Sequence, residues 1–209
     1  PETDRHILTL SEGLYRRYGL KRVFYSAYIP IGTNPLLPVT APPLLREHRL
    51  YQADWLLRYY GFEADELLDE RHQSLNPLVA PKCNWALNHM ERYPIEVTRA
   101  PYRELLRVPG IGVTSAKRII TARKAAPLSY SGLKKMGVVL KRAQYFITVG
   151  GKCNEGLRVT QDSILRSLIS QQGLDLMRRQ LPVQHEQLSL FPKNSSEIEE
   201  ACACLHAGT

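Results

Sequence analysis

One stretch, Leu105 to Arg123 (LLRVPGIGVTSAKRIITAR), constrains this chain more than any other. An apolar helix runs into Pro109-Gly110-Ile111-Gly112, and a second helix begins at once. Two glycines so placed permit a tight turn and close backbone approach. A helix that starts directly after them offers unpaired amide N–H groups and the positive end of its dipole, an arrangement suited to one phosphate group. Lys117 and Arg118 fall on the first turns of that helix. The plainer alternative is an ordinary αα-hairpin turn with Ala116, Ile119 and Ile120 as core. Charge weighs against that alternative. Between Arg103 and Arg142 stand Arg103, Arg107, Lys117, Arg118, Arg123, Lys124, Lys134, Lys135, Lys141 and Arg142, opposed only by Glu104. That is more than a solvated face needs.

The spacing resembles the helix-hairpin-helix motif of DNA repair and recombination proteins, which grips the backbone of duplex DNA without reading bases. Such contacts position a protein and do not specify sequence. On this resemblance the expected contacts are Gly110, Ile111 and Gly112 through backbone N–H groups, Thr114 and Ser115 through hydroxyls, and Lys117 and Arg118 through charge. The pattern recurs after Arg123. Leu133 to Ala143 (LKKMGVVLKRA) mirrors Leu106 to Ala116 at an offset of 27 residues, although the proline and the second glycine are gone. A pair of this kind looks like a tandem helix-hairpin-helix domain with pseudo-two-fold symmetry, one hairpin for each strand across the minor groove. Lys134, Lys141 and Arg142 are then further DNA contacts. A purely structural second hairpin stands as an equal alternative, and a monovalent cation held by hairpin carbonyls is a further option.

Formal net charge of +8 and an isoelectric point near 9.4 favour a polyanionic partner without choosing among DNA, RNA and an acidic membrane. The hairpin selects DNA, duplex or damaged. RNA is the weaker reading because no aromatic stacking platform accompanies the basic helices. With 209 residues, 44% of them hydrophobic, the chain is long enough for one or two domains with a real core. Cys83, Cys153, Cys202 and Cys204 follow no disulfide spacing, and no apolar run approaches the length of a membrane span. The expected setting is reducing cytoplasm, with no membrane partner. The opening on Pro1, straight into an amphipathic pattern, suggests a piece of a longer protein.

The expected order is a helix to Gly19, then a strand Arg22–Ile29 closed by Pro30, together residues 1–30 as the end of an α/β barrel. A proline-rich connector follows at 31–43. Residues 44–97 form a helical linker region whose strongest helix, Leu44 to Tyr60, carries Leu44, Leu45, Tyr51, Trp55, Leu56 and Tyr59 as one apolar face meant for core. Trp85 is read as core, and Cys83 with His89 is too sparse for a metal. The paired hairpins occupy 98–150, with Thr98 as the expected N-cap of the first helix. Tyr145 to Val149 reads either as a strand or as the frayed end of a helix. Further helices fill 151–181, capped at Thr160, and residues 182–209 form a polar tail. Within that tail Gln187-Leu188-Ser189-Leu190-Phe191 stands alone as an apolar pentapeptide. It resembles, residue for residue, the bacterial sliding-clamp-binding motif, the alternative being a tail that folds back or binds nothing. Cys202, Cys204 and His206 at the end of the chain are weak metal candidates.

Taken together, RVFYSAYIP, APPLLREHRLYQADWLLRYYGF, APKCNWAL, RAPYRELLRVPGIGVTSAKRI and LKKMGVVLKRAQYFI resemble the C-terminal portion of the DNA modification or repair radical S-adenosylmethionine proteins. The similarity runs from near Arg22 to about Lys152. This family is often encoded beside a uracil-DNA-glycosylase-like protein, a further partner. The resemblance implies a mainly α fold in which a tandem helix-hairpin-helix domain follows the terminal helix-strand unit of an upstream radical SAM barrel. It also implies S-adenosylmethionine and a 4Fe-4S cluster on a C-x3-C-x2-C loop. No such triad occurs in this sequence, and three thiolates are needed to hold the cluster. The chain alone is therefore not expected to perform radical chemistry. The expected role is sequence-independent DNA binding as part of a larger enzyme. The rival is a non-catalytic adaptor between DNA and the clamp or another repair protein.

Overall fold

The computed structural model describes residues 2–29, 43–154 and Ile164. The connector 31–43 lies outside them apart from Pro43, as do the expected helix from Thr160 apart from Ile164, the QLSLF pentapeptide and the terminal Cys202, Cys204 and His206.

The chain is mainly helical. Helix α1 (Asp4–Tyr18) starts where the Thr3 hydroxyl accepts the His6 N–H and stops at Gly19 in the left-handed region. Helix α2 (Leu44–Trp55) continues without a break into a π-helical turn, Leu56–Tyr60, and ends at Gly61. Helix α3 (Ala64–Leu67) is a single turn held by a reciprocal Glu63/Glu66 capping box. Pro81 opens α4 (Pro81–Asn88), and a 3-10 turn follows at Met90–Arg92.

The segment from Arg22 to Ile29 is not a strand. It is extended, but its backbone bonds to side chains. Tyr51 Oη accepts the Tyr25 N–H (3.0 Å) and donates to the Tyr25 carbonyl (2.8 Å). Glu47 accepts the Ala27 N–H (2.7 Å), and Tyr15 Oη accepts the Val23 N–H (3.0 Å). Side chains of α1 and α2 thus take the Val23, Tyr25 and Ala27 amides that a neighbouring strand would otherwise pair. Nor do residues 2–29 stand apart from the following helices, because Leu8 shares one apolar cluster with Leu50, Ala53, Ala64 and Leu68. Beneath it Asp54, fully buried, is bound by Arg58 (2.7 Å), Tyr15 and Tyr25.

The larger core joins α4 to four more helices, α5 (Tyr102–Arg107), α6 (Val113–Ala125), α7 (Tyr130–Lys135) and α8 (Leu140–Ala143). Trp85, 3% exposed, lies in this core as expected. The segment around Phe146 resolves as strand β2 (Ile147–Thr148), paired in parallel with β1 (Ile95–Glu96). This clasp brings the entry and exit of the helical hairpins side by side, so the boundary expected at Thr98 falls just inside it. Thr98 is not a helix cap. Its hydroxyl donates to Glu96, and α5 begins after Pro101 with no side-chain cap.

Candidate nucleic-acid interface

Helices α5 and α6 form one hairpin and α7 and α8 another, and the two press together at their turns. Gly110 and Gly137, 27 positions apart, hold matching left-handed conformations with φ of +87° and +89°. The Gly110 carbonyl accepts the Val139 N–H across the hairpins at 2.9 Å. A Cβ on Gly110 would lie 2.6 Å from the Val139 carbonyl oxygen. At the mirrored position, a Cβ on Gly137 would lie 3.3 Å from Ser115 Oγ. Ile111 and Val138 plug the core beneath the two turns, 1% and 4% exposed.

The backbone of the first turn is largely open. Ala116 N–H closes the first turn of α6 on the Gly112 carbonyl, and among the described residues the amides of Gly110, Gly112 and Thr114 have no backbone acceptor. Two expected contacts are placed differently. The Ile111 N–H is committed to the Val108 carbonyl, since that bond makes the turn. Ser115 is buried against the second hairpin, so its hydroxyl does not face solvent. Thr114, Lys117 and Arg118 are exposed, and Arg118 also donates to the Met136 carbonyl (3.3 Å), tying α6 to the second turn.

Charge divides into structural and free groups. Arg107 pairs with Glu66 (3.0 Å) and lies over the Phe62 ring, and Arg123 donates to the Ala100 carbonyl (2.6 Å). Lys134, Lys141 and Arg142 are exposed with Lys117 and Arg118, and among the described residues none of these five pairs with a carboxylate.

Three residues that sequence reasoning missed shape the first turn. Lys82 Nζ donates to the Ile111 carbonyl at 2.6 Å and lies 4.6 Å from the centre of the Tyr60 ring. Burial, with Arg107 nearby, brings its amine down to about 7. Tyr60, on the π turn, turns its hydroxyl to the Val113 N–H and the Trp55 indole. Burial raises its pKa, and these two donors offset part of that rise. Trp55, expected in the core, is 51% exposed, and Leu44 and Tyr59 are 49% and 48% exposed. Trp55 ends the regular part of α2, whose buried stripe runs through Leu45, Leu50, Ala53 and Leu56 and leaves Leu44, Trp55 and Tyr59 on its exposed flank. Nothing local marked Lys82.

Among the described residues the cysteines do not form the thiolate triad that holds a 4Fe-4S cluster. Cys83 is buried and Cys153 exposed, both free thiols, and among the described residues no three His, Cys, Asp or Glu side chains come together for a metal. Among the same residues no helix is long and apolar enough to cross a membrane. The chain matches no family model, no curated protein and no solved structure.

Proposed function

We propose that this chain binds duplex DNA through its backbone, using the paired hairpins as a tandem helix-hairpin-helix unit. The observation that carries the reading is the duplicated glycine turn: Gly110 and Gly137 share one left-handed geometry and are locked together by the Gly110–Val139 bond. In this reading a phosphate on one strand meets the open amides of Gly110, Gly112 and Thr114, with the Thr114 hydroxyl, Lys117 and Arg118 around it. Lys134, Lys141 and Arg142 face the other strand. Contacts of this kind fix register without reading bases, so binding is sequence-independent. Within the same reading the chain is the DNA-holding part of a repair or modification enzyme of the radical S-adenosylmethionine kind it resembles, with the reacting centre outside its own residues.

The test is binding of a labelled duplex across a salt series. Each phosphate neutralised contributes about 0.9 to the slope of log affinity against log salt. Reversal of Lys117 and Arg118 to glutamate is expected to weaken binding to any sequence and to flatten the slope by about 2. An unchanged affinity and slope would refute the reading.

A further inference from the structure

Trp55 and Tyr59 leave an aromatic pair open to solvent beside the first hairpin, in a fold that buries its other tryptophan. Their ring centres are 4.5 Å apart, tilted by 46°. The Arg58 guanidinium lies 5.7 Å from the Trp55 ring and 5.0 Å from the Tyr59 ring, and its ion pair with buried Asp54 holds it there. A cation fixed against two rings polarises and orients them as a platform. Trp55 closes the regular part of α2, and Tyr59 lies in the π turn that follows it.

The platform is tied to the phosphate-facing turn. Trp55 and the Val113 N–H meet at the same Tyr60 hydroxyl, and a Cβ on Gly112 would lie 3.5 Å from that oxygen. The indole is therefore within about one side-chain length of the open amides, the kind of span that separates a phosphate from a base on the same strand. The surroundings suit a polyanion. Tyr59 and Arg58 continue into a cleft that also carries Lys21 and Arg103, while Glu12 and Glu63 there are both engaged by Arg16.

Resting on the reading that the hairpin holds a phosphate, we infer that Trp55, backed by Tyr59 and Arg58, is a stacking platform for an unpaired nucleobase of the bound DNA. A base inside an intact duplex already stacks on its neighbours and must be unstacked at a cost of a few kcal/mol to reach a side chain. A bulged or extrahelical base has less to lose. Hairpin amides supply grip at any position, and the platform supplies preference for DNA with a base already out of the stack.

The experiment compares the full chain on two labelled duplexes, one fully paired and one carrying a single unpaired adenine. Base–aromatic stacking is worth about 1–3 kcal/mol, which at 1.4 kcal/mol per tenfold is a preference of about 5- to 100-fold for the bulged duplex. Trp55→Ala is expected to bring that ratio near one, and Trp55→Phe to retain most of it, a rescue that a merely structural role would not give. Tryptophan emission supplies a second readout on the unaltered protein. Trp85 is buried and Trp55 is not, so bulged DNA is expected to shield the emission from acrylamide more than paired DNA does. Equal affinity for the two duplexes, or a preference that survives Trp55→Ala, overturns the inference. If both duplexes bind equally and the Lys117/Arg118 reversal weakens both, only the platform fails. If neither duplex binds, the hairpin reading and the platform fall together.

Discussion

Replacing Gly110 by alanine measures how closely the two hairpins are pressed together. At φ of +87° a side chain costs about 1–2 kcal/mol in backbone strain alone. The added methyl would also stand 2.6 Å from the Val139 carbonyl oxygen and 3.1 Å from the Ala143 nitrogen, both backbone atoms that cannot swing aside. Relief requires the hairpins to part by several tenths of an ångström, which sacrifices the 2.9 Å bond from Val139 N–H to the Gly110 carbonyl. Leaving those groups poorly paired adds roughly 1–3 kcal/mol. The sum is roughly 2–5 kcal/mol, a large part of an ordinary domain's stability. Gly137→Ala carries the same strain but meets only side-chain atoms, the Ser115 hydroxyl at 3.3 Å and an Arg118 guanidinium nitrogen at 3.7 Å, so about 1–2 kcal/mol is expected. Gly150→Ala, with open space around it, measures strain alone. Urea unfolding of the three variants, followed by far-ultraviolet circular dichroism, is expected to rank Gly110 well above the other two. If Gly110→Ala costs no more than Gly150→Ala, the hairpins are not in contact as described and the pseudo-symmetric argument fails.

Two further predictions concern pH. Lys82 releases its proton near 7 in the folded chain and near 10.5 when unfolded. Between those values the unfolded chain binds the extra proton, so stability rises with pH by up to about 1.4 kcal/mol per unit. Relative to Lys82→Met, the native protein is expected to be weakest at pH 7 and below and to gain ground up to pH 10. A difference between the two that stays flat with pH in urea titrations would contradict this. Glu96 behaves oppositely. Partial burial raises its pKa, but the amides of Thr98 and Gly151 and the hydroxyls of Thr98 and Thr148 outweigh that and bring it to about 2. Its stabilisation is present above about pH 4.5 and lost as pH falls towards 2. Glu96→Gln is expected to lower stability by about 1.5 kcal/mol at pH 7, the low end for a charge-assisted bond on a partly exposed group, with the gap closing in acid. A gap that persists at pH 2.5 would show that the carboxylate is not the stabilising species.

What could be read from the sequence was what local chemistry decides. The glycine stops at Gly19 and Gly61 and the PGIG turn each depend on one or two residues, and all stand where the sequence puts them. The repeat at Met136-Gly137 was visible despite its lost proline, because the left-handed position is the one feature the turn requires. Errors arose where distant partners decide. Arg22 to Ile29 has strand composition, yet β propensity expresses fit to a half-buried surface, and here Tyr15, Glu47 and Tyr51 take the role of neighbouring strands. The face of α2 was misread because its apolar residues fall on two adjoining stripes, and Leu45, Leu50, Ala53 and Leu56 take the core while Leu44 and Trp55 stay exposed. Lys82 reaches a carbonyl 29 residues away, a contact that no periodicity announces. The β1 strand is two residues long and leaves no pattern to see.

The parallel pairing of β1 with β2 has a mechanical meaning. The chain enters the hairpins along Ile95–Glu96 and leaves along Ile147–Thr148 in the same direction, so tension applied through the flanking segments pulls the strands past each other lengthwise. The bonds from Ile95 N–H to Phe146 and from Val97 N–H to Thr148, with the Glu96 carboxylate gripping the Gly150 and Gly151 amides, then share the load and must break together. An antiparallel closure would unzip one bond at a time. Force transmitted along the polypeptide is thereby diverted around the hairpins, and the distance between their two turns stays fixed while the rest of the molecule is strained.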